Sequence, residues 1–458
     1  MEGRAVSEKS VLGLKRVLGL KEVVAIEVGQ TIGAGVFAMT GIAIGICGAA
    51  LPLAYALAVI PVALLMLPLA FLGAAIPTVG GNYTYPSRLV SPMAAFMGIW
   101  IYAIGAFFGF FPLYAITMVE YLKAFFPEIS VTLWAVIFLT VFYIINLFGV
   151  RLAAQLQGIF VLILLSALVV YITKGVPAVS LDHFSDFLPM GGMSVLSAAA
   201  LLTFPYLGAN AVIELGGEIK NPARVIPVSL VISISLVFVI YVVMSIVSVG
   251  VTDWTFCADQ PLTESARVFL SGGAFVYFVV GGALLAIATT LNATFMWGTK
   301  SLMIIGRDRL LPQVLTRVNA RFGTPHYLLT AIWLCAVAAV VSGLPIKAFA
   351  IYASIGGLVV FIPVLLAAIV LPKKLPDRYN ASALKIPMWL LVVSVVLGIV
   401  LFLGATVSLF DELIKTSMFM TWFFVVWVLL GIGYYLTMKT RLKRQGFDLS
   451  SLTQDVDF

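Results

Sequence analysis

Charge is the scarcest thing in this chain. Of 458 residues only 10% are Asp, Glu, Lys or Arg, where a soluble protein of this size carries about 25%. A large water-soluble domain is thereby excluded. Cysteine is almost as sparse. Cys47, Cys257 and Cys335 fall in separate segments, so neither a disulfide framework nor a zinc site is implied; Cys257 is the one place where a bond to a partner subunit would fall. There are two histidines, His183 and His326, both in or beside loops. His183, with Asp182 and Asp186, could suggest a metal but is read as part of a solvated outer loop, and neither histidine stands with a nucleophile within a span, so an embedded enzyme has nothing to work with. The phosphate-binding pattern GxxxxGK[ST] does not occur, which argues against a pump driven directly by ATP. The first 21 residues contain five Lys or Arg and no apolar core, so no cleavable signal peptide is expected.

What is present is apolar sequence. Hydrophobic residues make up 62% of the chain, and the mean hydropathy is +1.13. They fall in runs of about twenty separated by short polar links, the mark of a polytopic membrane protein. Twelve spans are predicted, at 22–46, 50–76, 93–119, 131–149, 155–174, 193–216, 226–250, 272–303, 326–343, 347–371, 386–410 and 418–438. With the N-terminus in the cytoplasm, 22 of the 27 Lys and Arg fall on the cytoplasmic side, as the positive-inside rule requires. Both termini are therefore expected inside a plasma or inner membrane. The same placement accounts for the net charge of +7 without any nucleic-acid partner.

Two spans are interrupted. The first carries Gly29, Gly33 and Gly35 around Gln30 and Thr31. Glycine in a helix interior costs about 1 kcal/mol relative to alanine, so three of them predict a break near Gly33. The sixth reads TFPYLGANAVIELGG from Thr203 to Gly217. There Pro205 removes a backbone donor and Gly208 follows, which predicts a second unwinding. Free backbone groups at such depth are tolerated only where they line a cavity or hold a ligand. A half-helix beginning near Gly33 offers N–H groups to an anion, and the half before it offers carbonyls to a cation. Breaks in the first and sixth spans point to an inverted repeat of five plus five spans followed by two more. The predicted organisation is an N-terminal arm at 1–21, a first repeat at 22–174, a second at 193–371, the last two spans within 386–438 and a cytoplasmic tail at 439–458.

Four stretches resemble the amino acid–polyamine–organocation (APC) superfamily of permeases. IGAGVF at Ile32–Phe37 is similar to its first-span glycine motif. The segment from Pro77 to Trp100 resembles its first inner loop. Phe204–Pro227, with EIKNP, is similar to its sixth span, and GRDRLLP at Gly306–Pro312 to its fourth inner loop. The resemblance implies an all-helical transporter that rocks between two open states. It places an amino acid's carboxylate on the amides of Gly33, Ala34 and Gly35, and its amino group at carbonyls around Phe204, Tyr206, Leu207 and Gly208. Gln30, Thr31, Asn210 and Thr294 would complete that surface. Relatives carry a lysine in the fifth span where a sodium ion sits in others; that position falls on Leu164 here, which removes a lysine-based scheme.

The coupling ion is either Na⁺ or H⁺. Thr289 and Thr290, facing first-span carbonyls between Gly29 and Ile32, would line a Na⁺ site. Glu27, a carboxylate inside a span, is a proton site, a partner for a substrate amine or a hydrogen bond to a neighbouring helix. Glu218 is assigned to the inner gate, and Glu214 is expected to be structural. No other cofactor is implied. A proton-coupled symporter or exchanger of cationic amino acids or polyamines, an uncoupled facilitator and a non-transporting sensor stay open. The sequence carries no reading of oligomeric state.

Overall fold

The computed structural model describes residues 14–123 and 125–453; the outermost parts of the arm and tail, 1–13 and 454–458, lie outside the described residues. The described chain is helical, and no strand occurs among those residues. Two isolated bridges join described residues, Leu18 with Ile219 and Val79 with Leu215.

The chain opens on an interrupted pair, α1 (Leu20–Thr31) and α2 (Ala34–Cys47). It turns at Gly48, whose φ of 61° suits glycine, into α3 (Leu51–Ala75). The loop that follows contains α4 (Gly81–Leu89), every residue of which is buried. Next, α5 (Pro92–Gly105) passes through a π-helical turn at Ala106–Phe110 into α6 (Phe111–Lys123). Then come α7 (Val131–Leu147), α8 (Val150–Gly175) and α9 (Gly191–Leu202). Beyond a long irregular stretch stands α10 (Pro222–Gly250). The short α11 (Trp254–Cys257) and α12 (Leu262–Phe269) lead to α13 (Gly272–Tyr277), which runs through a second π-helical turn, Phe278–Leu284, into α14 (Leu285–Trp297) and on to α15 (Lys300–Arg307). The chain ends with α16 (His326–Val341), α17 (Ile346–Val359), α18 (Phe361–Lys374), α19 (Pro376–Ala381), α20 (Met388–Thr416) and α21 (Met418–Arg444).

Nine helical stretches among the described residues are long and apolar enough to cross a membrane. Two more apolar helices, α7 and α16, have 17 and 16 residues; at 1.5 Å per residue they reach about 25 Å, a little short of a ~30 Å hydrocarbon layer. The chain is a multi-pass membrane protein.

At the centre α1 packs on α8, α10 and α14, while α2 packs on α9. The last two helices lie outside this core. Rows of bare apolar side chains on α20, such as Val396, Val400 and Val407, face away from the protein, as a lipid-contacting surface requires.

Burial of α4 differs from the expectation of a simple charged loop. Arg88, counted above as a topological charge, is buried, and its Nη2 donates to Asp308 Oδ1 at 2.8 Å. The Tyr83 hydroxyl donates to Oδ2 of the same aspartate at 2.9 Å. A guanidinium is held in an apolar layer only when its donors meet a carboxylate of this kind, and GRDRLLP supplies it.

Candidate binding site

The first break is two residues long. Ile32 closes α1 by donating its N–H to Val28 O at 2.8 Å, and Gly33 turns its N–H back to Thr31 O at 2.9 Å. The helix then restarts at Ala34. Of the three amides expected to meet a carboxylate, that of Gly33 is therefore engaged by its own chain. Those of Ala34 and Gly35 stand in the first turn of α2, where N–H groups lack helical partners. Gly33 is small for a local reason: a Cβ there would lie 2.5 Å from Thr290 Oγ1.

The second break is longer. After α9 the chain makes a single 3₁₀ turn at Phe204–Tyr206, extends at Leu207, reverses at Gly208 with φ of 147°, and makes another 3₁₀ turn at Ala209–Glu214. Asn210 Oδ1 accepts the Gly208 N–H at 2.9 Å, so this amide side chain caps the reversal. The two breaks touch through their backbones. A Cβ on Gly208 would lie 2.8 Å from the carbonyl of Gln30, and one on Gly35 would lie 3.4 Å from Pro205 Cα. Across the junction the Tyr241 hydroxyl stands 3.2 Å from Thr31 O and 3.1 Å from Pro205 O, one proton shared between a carbonyl of each break.

Other predicted residues are placed as follows. Gln30 lies at the junction, its Oε1 3.5 Å from Trp297 Nε1. The Thr31 hydroxyl donates to Glu27 O at 2.7 Å. Phe204 is partly open, at 40% exposure, whereas Tyr206 is fully buried in a cluster with Tyr55 and Tyr241, and its hydroxyl donates to Tyr55 O at 3.2 Å. Thr294 is buried on α14 and donates to Thr290 O at 2.7 Å, a bond within its own helix.

Thr289 and Thr290 converge on one atom. Their hydroxyls lie 2.9 and 3.2 Å from Gly29 O, and 2.8 and 2.9 Å from Ala286 O. Each hydroxyl has one proton for two carbonyls and keeps lone pairs to spare. The donor set is all oxygen, as a hard cation requires. Among the described residues no hydroxyl contact of the Ile32 carbonyl adds to it.

The family model described as Amino acid permease matches residues 18–430. The chain belongs to the amino acid permease family. It is 25% identical to the branched-chain amino acid permease BcaP of Bacillus subtilis, over 80% of this chain and 83% of the relative. It is 26% identical to the methylthioribose transporter of the same bacterium, over 89% and 90%. With cationic amino acid transporter 4 of Arabidopsis thaliana it shares 26% identity, over 78% of this chain and 64% of that protein. These relatives are named as permeases and transporters.

In this permease Glu27 is buried, and its two carboxyl oxygens accept from Ser229 at 2.8 Å and Ser233 at 2.6 Å, both on α10. Of its three readings, the geometry contains the hydrogen bond to a neighbouring helix. Glu218 is buried beside Lys300, Oε2 to Nζ 2.8 Å, and its carbonyl accepts the N–H groups of Val17 and Leu18. Glu214 accepts from the N–H groups of Asn82 and Ser301 at 2.8 and 3.0 Å, and from the Ser301 hydroxyl.

Several of these residues escaped the sequence reading. Tyr241 and the serines of α10 are single polar atoms in an apolar run, and only their partners give them meaning. Gln157 left a better signal, being a polar side chain inside a span. On α8 it is Gln157 with Val161 that abuts Gly29. Its Oε1 accepts from Asn292 Nδ2 at 2.8 Å, and Asn292 Oδ1 accepts from Asn146 Nδ2 at 3.0 Å. Asn146 Nδ2 is also held by Phe142 O, so the amide orientations are fixed in sequence from backbone to Gln157. Gln157 Nε2, at the end of this chain, is without a partner among the described residues.

Proposed function

We propose that this permease carries amino acids across the membrane by alternating access, driven by Na⁺. The observation that carries this reading is the backbone contact between two helix interruptions, with the start of α2 on one side and unwound carbonyls on the other. A zwitterion suits that pair of ends: its carboxylate at the Ala34 and Gly35 amides, its ammonium at carbonyls of the 204–208 turn. The interrupted pair α1–α2 together with the nine long stretches and the two short apolar helices is read as twelve spans, both termini cytoplasmic. Interruptions in spans one and six, and π-helical turns in spans three and eight, are both five spans apart, which supports the repeat.

Na⁺ is assigned to the oxygens of Gly29, Thr289 and Thr290, with Ile32 and Ala286 as neighbours. A cation there ties α1 to α14 and adds a field next to the substrate carboxylate. Glu27 is assigned to holding α1 on α10, and Glu218 to the inner gate.

The test is uptake of a labelled panel of amino acids into proteoliposomes, with and without an inward Na⁺ gradient at fixed pH. Uptake of one class that rises with Na⁺, falls at least tenfold in the Thr289→Ala/Thr290→Ala double variant and persists in Glu27→Gln is the expected result. Uptake that ignores Na⁺, follows a pH gradient and is lost in Glu27→Gln moves the coupling to a proton. Strict dependence on internal substrate makes the protein an exchanger.

A further inference from the structure

The tail folds back on the protein. Gly446, with φ of 81°, turns the chain after α21, and the Phe447 N–H donates to Leu442 O at 3.0 Å. A 3₁₀ turn at Leu449–Thr453 follows and packs on α4, α5 and α21. Leu449, 1% exposed, joins an apolar cluster with Tyr83 of α4, Phe96 and Ile99 of α5, and Leu310. Arg309 lays its guanidinium over the Phe447 ring, 5.0 Å from the centroid. One loop thus holds two segments: Asp308 pairs with Arg88 of α4, and its neighbour Arg309 covers the tail. From the other end of the chain the N-terminal arm enters the same cluster through Leu14, which is fully buried.

The tail is tied to the body by packing. Among the described residues the hydrogen bonds of 447–453 stay within the segment or reach the end of α21. Asp448 Oδ1 accepts the Ser450 N–H at 2.9 Å, Asp448 O accepts the Ser451 N–H and hydroxyl at 3.0 and 2.7 Å, and the Thr453 hydroxyl donates to Ser450 O at 2.8 Å. The segment therefore keeps its own shape. Its hold on the body is Leu449, the partly buried Leu452 and the Phe447 ring under a cation. Burying one leucine favours the docked form by about ten- to a hundredfold, enough to seat the segment and little enough to let it leave.

We propose that 447–453 is a releasable strap. Docked on the shelf formed by α4, α5 and the 308–310 loop, it holds the N-terminal arm in place and restrains the transport cycle. The arm carries the restraint onward. Val17 and Leu18 donate their N–H groups to Glu218 O at 3.0 and 2.9 Å, and the Lys220 N–H returns to Leu18 O at 2.8 Å. The arm thus ties the start of α1 to the end of the second break. With Leu449 withdrawn, the cluster that seats Leu14 opens to water and that tie loosens, from a surface that takes no substrate. The strap itself rests on the packing alone; its effect on transport rests on the transport reading above.

The test compares full-length wild type, Leu449→Asp, Leu449→Met and Phe447→Ala, by hydrogen–deuterium exchange in nanodiscs and by initial uptake of labelled amino acids into proteoliposomes. Leu449→Asp puts a charge into the cluster. It is expected to speed exchange of 14–19 and 81–89 at least tenfold, to leave α14 as in wild type, and to raise the initial uptake rate at least twofold. Leu449→Met keeps the seat apolar and should match wild type. Phe447→Ala, at a half-buried position, should give an intermediate exchange, and it carries the test where Leu449→Asp fails to fold. Exchange of 14–19 and 81–89 that stays unchanged in the folded variants, or rises equally across the whole protein, overturns the strap. Faster exchange there with uptake unchanged or slowed overturns the restraint. If exchange responds as expected while the wild type takes up no amino acid, the strap stands and the transport reading falls.

Discussion

The two interruptions solve the same problem in opposite ways. Between α1 and α2 the break takes two residues, and most of what holds it comes from elsewhere: Thr289 and Thr290 on α14, Tyr241 on α10, Gln157 on α8. After α9 the break runs through 203–221. Its turns at 204–211 are closed by its own chain, by Leu207 N–H to Phe204 O, Asn210 over Gly208, and Ala211 N–H to Gly208 O, and other segments hold its two ends, Tyr241 at Pro205 O and Asn82 and Ser301 at Glu214. A segment braced mainly by three other helices moves when they move. A turn that also closes on itself keeps more of its shape while its surroundings change. The short break is thus the part suited to sensing an ion or a rocking bundle, and the 204–211 turn the part suited to being a wall.

Substitutions that separate bracing from without and from within test this contrast. The largest effect is expected at Gly208→Ala. A φ of 147° lies where only glycine is at ease, a cost of about 1–3 kcal/mol, and the added methyl runs into Gln30. The variant should fail to yield monodisperse protein on size exclusion. Gly33→Ala comes next. Its methyl pushes Thr290 off Gly29 without backbone strain, so the protein should fold, with a Tm within a few degrees of wild type and uptake of amino acid down at least tenfold. If Gly33→Ala fails to fold and Gly208→Ala survives, the assignment of the two roles is inverted. The smallest effect is expected at Tyr241→Phe, which removes one shared hydrogen bond, worth about 1 kcal/mol. A small loss of thermal stability with a slower or leakier transport cycle is the expected signature, and an unchanged cycle would show that the breaks do not need their common strut.

Both breaks were legible because glycine and proline act locally: Gly33, Pro205 and Gly208 interrupt a helix whatever surrounds them. The threonines were legible because hydroxyls in an apolar helix are rare enough to ask for partners. What the order of residues did not show is which distant atom answers. Ser229 and Ser233 answer Glu27 from about 200 positions away. The register of α8 against α1, which brings Gln157 and Val161 to Gly29, depends on how two helices roll on each other. The buried α4 was hidden because polar, tyrosine-rich sequence reads as a loop until Asp308 neutralises Arg88.

That last pair has a consequence for how the protein is made. Arg88 and Asp308 are 220 residues apart. A ribosome adding 5–20 residues per second separates their synthesis by about 10–40 s. Through that interval the arginine lacks the Asp308 carboxylate, and carrying a guanidinium into the apolar layer without it costs several kcal/mol. The segment carrying it must therefore wait at the water interface until the second half of the chain is inserted. Closing α4 under its neighbours is thus a late act of biogenesis, and a nascent chain stalled before Asp308 should leave residues 81–89 open to protease where the finished protein shields them.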